Sequence, residues 1–349
     1  MRAIQLAEQG RGKVEPNPRV GALLFDAKGN FVSEGHHSFF GGPHAEVEAI
    51  QRAGNKARGG TLFVTLEPCS TYGKTSPCTD LIIRSGIRRL VIGAVDPNPK
   101  HRGRGISVLK KQGIQITTGV LEDLVQKQNP EFFKFMTKGI PYVSLKLAQS
   151  LDGKIATYRG ESKWITSSQS RHKVQLLRSF HQAILVGTNT LRQDRPHLQL
   201  KGIKGRNPRR IFIARNPETI KSFLKARDEA GDMLFFEKKP RFTLKQTQLF
   251  QAPFDQDGIR ISFLMKALAG EGISSLLVEG GGEMAANFLK GNWVDYVYFF
   301  IAPILIGGRT AKTSVEGQGV ASLTKAIRLT DMSHETLGED LLIQGVIRR

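Results

Sequence analysis

Cysteine is almost missing from this 349-residue chain, which has two, Cys69 and Cys78, in one short stretch. That excludes a disulfide framework and turns attention to metal binding. Acidic side chains are also scarce, 31 against 51 Lys and Arg, so the formal charge is +20. Long apolar runs are missing as well: the longest, from Val297 to Ile306, contains Pro303 and falls well short of the ~20 residues of a membrane helix. Met1 to Gly12 shows helical spacing at Ile4, Leu6 and Ala7 and lacks the apolar core of a secretory signal. Together these absences predict a soluble, cytoplasmic protein with no membrane partner.

What is present is globular in composition, 40% hydrophobic and 23% charged, with 37 Gly and 15 Pro spread along the chain. At roughly 100–200 residues per domain the length predicts two domains. Residues 1–140 carry 20 basic and 12 acidic side chains, and residues 141–349 carry 31 and 19, so both halves are basic. The cations come singly or in short groups such as Arg88-Arg89 and Lys110-Lys111, without the blocks that mark nucleic-acid arms. Such a distribution suits a phosphorylated small-molecule substrate better than nucleic acid, which is not an expected partner.

Alternating patterns predict α/β architecture in both halves. In the first, Val20–Phe25 and Phe31–Gly35 flank a turn and read as a hairpin. Helix His44–Ala53, strand Thr61–Leu66, helix Cys78–Ser85, strand Arg89–Val95, helix Gly105–Gln112 and strand Ile114–Thr117 follow. Leu121–Lys138 reads as one long helix, and Gly139-Ile140-Pro141 suits a junction between domains at 1–140 and 141–349. The second half gives strand Tyr142–Leu147, helix Ser168–Phe180, strands Ala183–Val186 and Arg210–Ala214, helix Ile261–Ala269, strand Ser275–Glu279 and helix Glu283–Leu289. It closes on β-rich runs at Tyr296–Leu305 and Leu341–Ile347, while Pro217–Gln256 reads as loops around one or two weak elements.

The most informative segment is His44-Ala45-Glu46 at a helix start, followed by Pro68-Cys69 and then Cys78. One imidazole and two thiolates suit Zn²⁺, and three protein ligands leave a fourth tetrahedral position for water, the layout of a catalytic site. The order H-x-E, then P-C and a second Cys, is the pattern of zinc nucleobase deaminases, in which the Glu is a proton carrier and not a ligand. Glu46 is that residue here. The other histidines, His36, His37, His101, His172, His181, His197 and His334, lack this context and read as surface or packing residues. Eight residues separate the cysteines, where nucleic-acid deaminases have two, and a loop of that length with hydroxyls and Lys74 suits the lining of a pocket for a phosphorylated substrate.

With these motifs the chain resembles the bifunctional riboflavin biosynthesis proteins, a pyrimidine deaminase fused to a 5-amino-6-(5-phosphoribosylamino)uracil reductase. The resemblance rests on Pro16-Asn17-Pro18-Arg19-Val20-Gly21, His44-Ala45-Glu46-Val47, the run from Glu67 to Asp80, and Asp96-Pro97-Asn98-Pro99. Thr71 and Ser76 stand where that family usually has His and Pro. In the second half, Lys146 to Lys154 and Gly160 to Ser167 look like the family's reductase domain. The resemblance implies a cytidine-deaminase-like α/β/α sandwich followed by a dihydrofolate-reductase-like domain, with NADPH as the second cofactor and a homo-oligomer as a family expectation.

Read from the residues alone, strand Ser275–Glu279 runs through Gly280-Gly281-Gly282 into a helix, a turn that can cradle phosphate. By resemblance, Gly281, Gly282, Glu283, Met284, Ala285, Ala286 and Asn287 contact NADPH, together with Ala148, Trp164, Thr190 and Asp194. Ser162, Arg178, Leu198 and Glu279 match substrate positions, with Lys146 nearby. Arg195, Lys201 and Arg215 depart from the usual Asp, Arg and Ser; a lysine keeps the charge at 201 but loses a bidentate fork.

The chain therefore reads as a two-step enzyme: zinc-dependent hydrolytic deamination of a ribosylaminopyrimidine 5′-phosphate, then NADPH reduction of its ribosyl group to ribityl. An RNA or nucleoside deaminase with a non-catalytic C-terminal domain is the rival, favoured by the charge and opposed by the cysteine spacing. A zinc-stabilised binding protein without activity is opposed by the intact Glu46.

Overall fold

The computed structural model describes residues 1–72 and 76–348. Lys74, expected to line a phosphate pocket, lies outside the described residues, as do Gly73, Thr75 and Arg349. The chain divides into two compact units, Met1–Gly139 and Ile140–Arg349, each built on its own sheet.

The first unit runs α1 (Arg2–Ala7), β1 (Gly21–Phe25), β2 (Phe31–His36), α2 (Ala45–Ala53), β3 (Thr61–Leu66), α3 (Cys78–Arg84), β4 (Arg89–Ala94), α4 (Arg104–Lys111), β5 (Gln115–Thr117), α5 (Glu122–Gln128) and α6 (Pro130–Lys138). Its five strands lie in the order β2-β1-β3-β4-β5. β1 is antiparallel to both neighbours, and β3, β4 and β5 are parallel. The apolar face of α2 (Ala45, Ala49, Ile50) packs with Ile82 of α3 and Leu109 of α4 against Leu24, Leu62, Leu90 and Ile92 of the sheet. α2 lies so close to β2 that a Cβ on Gly35 would stand 2.4 Å from the Ala45 carbonyl oxygen. Only glycine permits that approach, and it sets the height of His44 and Glu46 above the sheet.

The long helix expected over Leu121–Lys138 is two helices. Asn129 leaves the helical region at φ −119°, ψ 43°, because the ring of Pro130 disfavours helix at the residue before it and has no N–H to give. The freed Asn129 side chain accepts from the Arg19 backbone N–H at 2.8 Å and donates to the Arg19 carbonyl at 3.0 Å, so the break anchors the approach to β1.

The second unit runs β6 (Tyr142–Ser150), α7 (Ser168–Phe180), β7 (Ala183–Gly187), α8 (Thr188–Asp194), β8 (Arg209–Ala214), α9 (Lys221–Ala226), β9 (Met233–Phe236), β10 (Gln248–Gln251), the short hairpin β11 (Phe254–Asp255) and β12 (Gly258–Ile259), α10 (Ile261–Gly270), β13 (Ser275–Val278), α11 (Gly282–Lys290), β14 (Tyr296–Ala302), β15 (Leu329–Leu337) and β16 (Asp340–Ile347). Nine strands lie in the order β10-β9-β8-β7-β13-β6-β14-β16-β15. All pairs from β10 to β14 are parallel, and the last two are antiparallel. The poorly patterned stretch Pro217–Gln256 supplies two sheet strands, and all four residues of β9 are buried. A short strand covered on both faces has no alternation to betray it. β15 lacked a signal for the opposite reason, being a largely exposed edge strand of sequence LTDMSHETL, with a register break between Thr330 and Ser333. β14 stops at Ala302, just before Pro303, so the end of the expected run, Leu305, is 76% exposed.

Replacing Asn129 by Ala leaves the buried Arg19 N–H and C=O without partners, and each such loss costs about 1–3 kcal/mol. The expected outcome is a lower urea midpoint for the first unit's transition with an unchanged slope, measured by denaturant unfolding.

Candidate functional site

The first candidate site sits where β3 ends. The chain leaves Leu66 through Glu67-Pro68 to Cys69, His44 caps the N-terminus of α2, and Cys78 opens α3. One ligand atom from each of His44, Cys69 and Cys78 lies within 4.8 Å of the others. His44 Nδ1 is 3.1 Å from Cys78 Sγ and 3.6 Å from Cys69 Sγ. Tetrahedral zinc, with bonds of ~2.0–2.1 Å to nitrogen and ~2.3 Å to sulfur, separates such donors by about 3.5–3.8 Å. The arrangement and the soft donor set therefore fit zinc.

Among themselves the three groups form a proton-sharing cluster. The Cys69 thiol is lowered to about 4, first by its hydrogen bond with Cys78 and then by His44, in spite of burial. His44 is raised to about 9, chiefly by Cys69. Cys78 moves up through Cys69 and burial. Glu46, the second residue of α2 and 3% exposed, stands beside Cys78, and burial pushes its carboxyl above the ordinary range.

These residues open onto a cavity of about 220 Å³ whose wall includes Asn17, His37, Glu67, Asp96, Asn98 and His101 as well as His44, Glu46 and Cys69. His37 and His101, read from sequence as surface or packing histidines, are thus part of the wall. His37 is buried and stands edge-on to His44, with ring centroids 5.3 Å apart. Asn17 donates to its Nε2 at 3.2 Å, so Nδ1 carries the proton and donates to the Pro43 carbonyl at 2.9 Å. Burial lowers its pKa, which favours this neutral form. Glu67, also buried, accepts from the backbone N–H groups of Asp96 (3.1 Å), Gly103 (3.0 Å) and Ile106 (3.3 Å) and ties that loop to the end of β3. The signal for these partners was their presence in the Pro-Asn-Pro and Glu-Pro-Cys motifs, which carried no chemistry of their own.

The second candidate site is a cavity of about 970 Å³ at the carboxyl ends of the parallel strands of the second unit, the usual place for a ligand in such a sheet. Of the expected cofactor residues, Ala148, Trp164, Thr190, Asp194, Gly281, Gly282, Glu283, Met284 and Asn287 line it, and so do the expected substrate residues Lys146, Ser162, Arg178, Leu198 and Glu279. Ala285 and Ala286 do not. Helical periodicity turns Ala285 into the core beside Phe288 and places Ala286 against Gly317.

Glu279 is the electrostatic centre of this cavity. Burial alone would raise its carboxyl, but Arg178 and Lys146 outweigh burial and lower it to about 2. Arg178 makes a bidentate pair with it at 2.7 and 2.9 Å, and Lys146 Nζ is 3.6 Å away. Ser162 donates to Asp194 at 2.8 Å, and Arg171 stacks over the exposed ring of Trp164 at 4.6 Å. At the glycine turn a Cβ on Gly282 would stand 2.4 Å from the Thr313 carbonyl oxygen, whereas one on Gly281 would meet nothing within 4 Å. That open space, at the N-terminus of the nine-residue helix α11, fits the pyrophosphate of a dinucleotide. The departures Arg195, Lys201 and Arg215 also line the cavity. Arg215 is engaged by Glu237 at 3.0 and 3.1 Å and lies over Phe254 at 5.2 Å.

Comparison with known proteins agrees with this geometry. The family model for the RibD C-terminal domain matches residues 141–343, and that for the cytidine and deoxycytidylate deaminase zinc-binding region matches residues 1–94. The riboflavin biosynthesis protein RibD of Bacillus amyloliquefaciens is 40% identical, over 99% of this chain and 94% of that protein. The solved RibD of Acinetobacter baumannii, form 1, has a TM-score of 0.88 at 32% identity, covering 100% of this chain and 97% of its own. A Thermotoga maritima structure, described as a diaminohydroxyphosphoribosylaminopyrimidine deaminase/5-amino-6-(5-phosphoribosylamino)uracil reductase, has a TM-score of 0.86 at 36% identity, covering 99% and 97%. The chain belongs to the RibD family, the bifunctional deaminase/reductases of riboflavin biosynthesis.

Proposed function

We propose that His44, Cys69 and Cys78 hold zinc and that Glu46 carries protons in the hydrolytic deamination of 2,5-diamino-6-(5-phosphoribosylamino)pyrimidin-4-one. The observation that supports this most is the convergence of the three donor atoms within 4.8 Å beside a buried carboxyl. Bound zinc supplies the Lewis acidity that makes water nucleophilic near neutral pH. Glu46 takes the two protons of the attacking water in turn, passing the first to the ring nitrogen as the C–O bond forms and the second to the amino group as it leaves as ammonia. Its burial favours a carboxyl that both accepts and releases a proton. The neutral His37, held by Asn17 and Pro43, packs against the His44 ring and fixes its orientation.

In the second cavity NADPH supplies the hydride that converts the ribosyl side chain to ribityl. The open turn at Gly281 receives the pyrophosphate, with Ala148, Trp164, Thr190, Asp194 and the start of α11 as further cofactor contacts. Ser162, Leu198, Arg178 and Lys146 face the substrate, and Glu279 holds the two cations in place. A phosphorylated substrate accords with the basic balance of +20, and a cytoplasmic location with two unpaired cysteines at a zinc site. A homo-oligomer is supported by the family resemblance alone. Nucleic acid is not among the proposed partners, since the cations form no block.

A coupled assay with the diaminopyrimidine ribosyl phosphate tests both halves, following ammonia release, NADPH absorbance and zinc content. Ammonia followed by NADPH loss is expected; the absence of both signals from zinc-loaded protein would refute the reading. Glu46→Gln should retain zinc while ammonia release falls by roughly 10²–10⁴-fold. Cys69→Ser should lose zinc, measured by atomic absorption, and an unchanged content would remove Cys69 from the ligand set.

For Glu279 the lowered pKa gives a pH signature. Its charge contributes stability that is full above the unfolded carboxylate value of about 4.3 and is lost as pH falls towards about 2. Glu279→Gln leaves Arg178 and Lys146 unpaired and should cost about 3–5 kcal/mol at pH 7. In urea unfolding of the second unit at a series of pH values, the gap to the wild type should narrow below about pH 4.3.

A further inference from the structure

The glycine turn of the larger cavity is short of positive charge for the ligand proposed there. From Gly280 to Asn287 the sequence has no Lys or Arg and one acid, Glu283. The backbone N–H groups at the start of α11 supply partial charge only, whereas a pyrophosphate carries two full negative charges.

A second segment lies directly on that turn. Glu316 N–H donates to the Gly282 carbonyl at 3.1 Å, and the Glu316 side chain passes over Gly282, where an added Cβ would stand 2.5 Å from its Cγ and 3.1 Å from its Cδ. Lys312 Nζ is 3.6 Å from Glu316 Oε1, and both residues line the cavity. The Glu316 side chain is 17% exposed and that of Lys312 is 64% exposed. The carboxylate is thus the fixed member of the pair, and the ammonium stands in the cavity on a long, flexible stem.

The backbone of this segment is held by Asp152-Gly153-Lys154, a motif that neither site has used so far. The Asp152 carboxylate accepts from the N–H groups of Ile306 at 3.1 Å and Gly307 at 2.7 Å. Lys154 forms an antiparallel bridge with Thr313, Ile155 N–H donates to the Lys312 carbonyl at 2.9 Å, and Ser314 N–H donates to the Gly153 carbonyl at 3.1 Å. Lys312 therefore stands on a fixed base while its side chain can turn. Arg178 and Arg215, by contrast, are each locked to a carboxylate by two hydrogen bonds. A single exposed contact such as that of Lys312 with Glu316 is weak in water, and a doubly charged pyrophosphate competes well for a lysine, which binds phosphate as a point charge.

We propose that Lys312 binds the pyrophosphate of the nicotinamide dinucleotide, turning from Glu316 to the phosphate oxygens. The inference rests on the reductase reading given above. It adds a cofactor-binding residue from outside the glycine turn and outside the positions that the family resemblance implies.

Isothermal titration calorimetry tests this through the Kd of NADP⁺, and through that of NAD⁺ measured by its displacement of NADP⁺. Lys312→Ala should weaken both roughly tenfold, the loss of about one charged hydrogen bond, because both dinucleotides carry the pyrophosphate. Lys312→Arg should recover most of the affinity. In the reductase assay the KM for NADPH should rise by a similar factor in Lys312→Ala, with kcat and the KM for the pyrimidine unchanged. An unchanged Kd in Lys312→Ala, a loss confined to NADP⁺, or no recovery in Lys312→Arg would overturn the proposal. Failure of the wild type to bind NADP⁺ would instead refute the reductase reading itself.

Discussion

A carboxylate taken out of water must find a positive partner or take up a proton, and the two sites differ chiefly in how this constraint is met. Three acidic side chains at the two sites, Glu67, Glu279 and Glu46, lie largely out of water, and each meets it differently. Glu67 accepts three backbone N–H groups and becomes a structural clamp. Glu279 is enclosed by Arg178 and Lys146 and stays ionised. Glu46 has burial as its leading influence, and its carboxyl rises. The same functional group is thus a brace, a fixed charge and, in the proposed reaction, a proton carrier according to its neighbours alone.

The proposed zinc ligands His44, Cys69 and Cys78, and Glu46 beside them, were legible because their spacing is local and their chemistry is narrow: each stands at the start of a helix or just past the end of a strand. The rest of that cavity was not legible because it is assembled across the sheet. His37 enters it through a hydrogen bond to Asn17, twenty residues earlier, and His101 through a loop that Glu67 holds from another strand. In the second unit the glycine turn and Glu279 were visible as a strand-to-helix junction, whereas the orientations of Ala285 and Ala286 depended on helical phase within the packed structure. Asn129 shows a local cue outweighed by a longer pattern. The apolar spacing of Leu121–Lys138 suggested one helix, and the proline at 130 divided it.

The strongly basic composition has more than one origin. Some cations are internal: Arg19 is 3% exposed and engages Glu8 and Glu131, and Arg210 is 2% exposed and engages Asp232 and Glu229. Others, among them Lys146, Arg178, Arg195 and Lys201, line the larger cavity. A net charge therefore says little about a partner until its members are divided between interior, cavity and open surface.

The nine-stranded sheet ends in two unpaired borders, β10 and β15. An open border exposes backbone donors and acceptors to any passing extended chain and is the usual starting point for ordered aggregation. β10 limits this by having only four residues. β15 has nine, but its register breaks between Thr330 and Ser333, with Asp331 in a left-handed conformation at φ +48°. The break divides a long template into two short ones, neither long enough to seed a growing fibril, so an enzyme with an extended exposed edge retains resistance to self-templated misassembly.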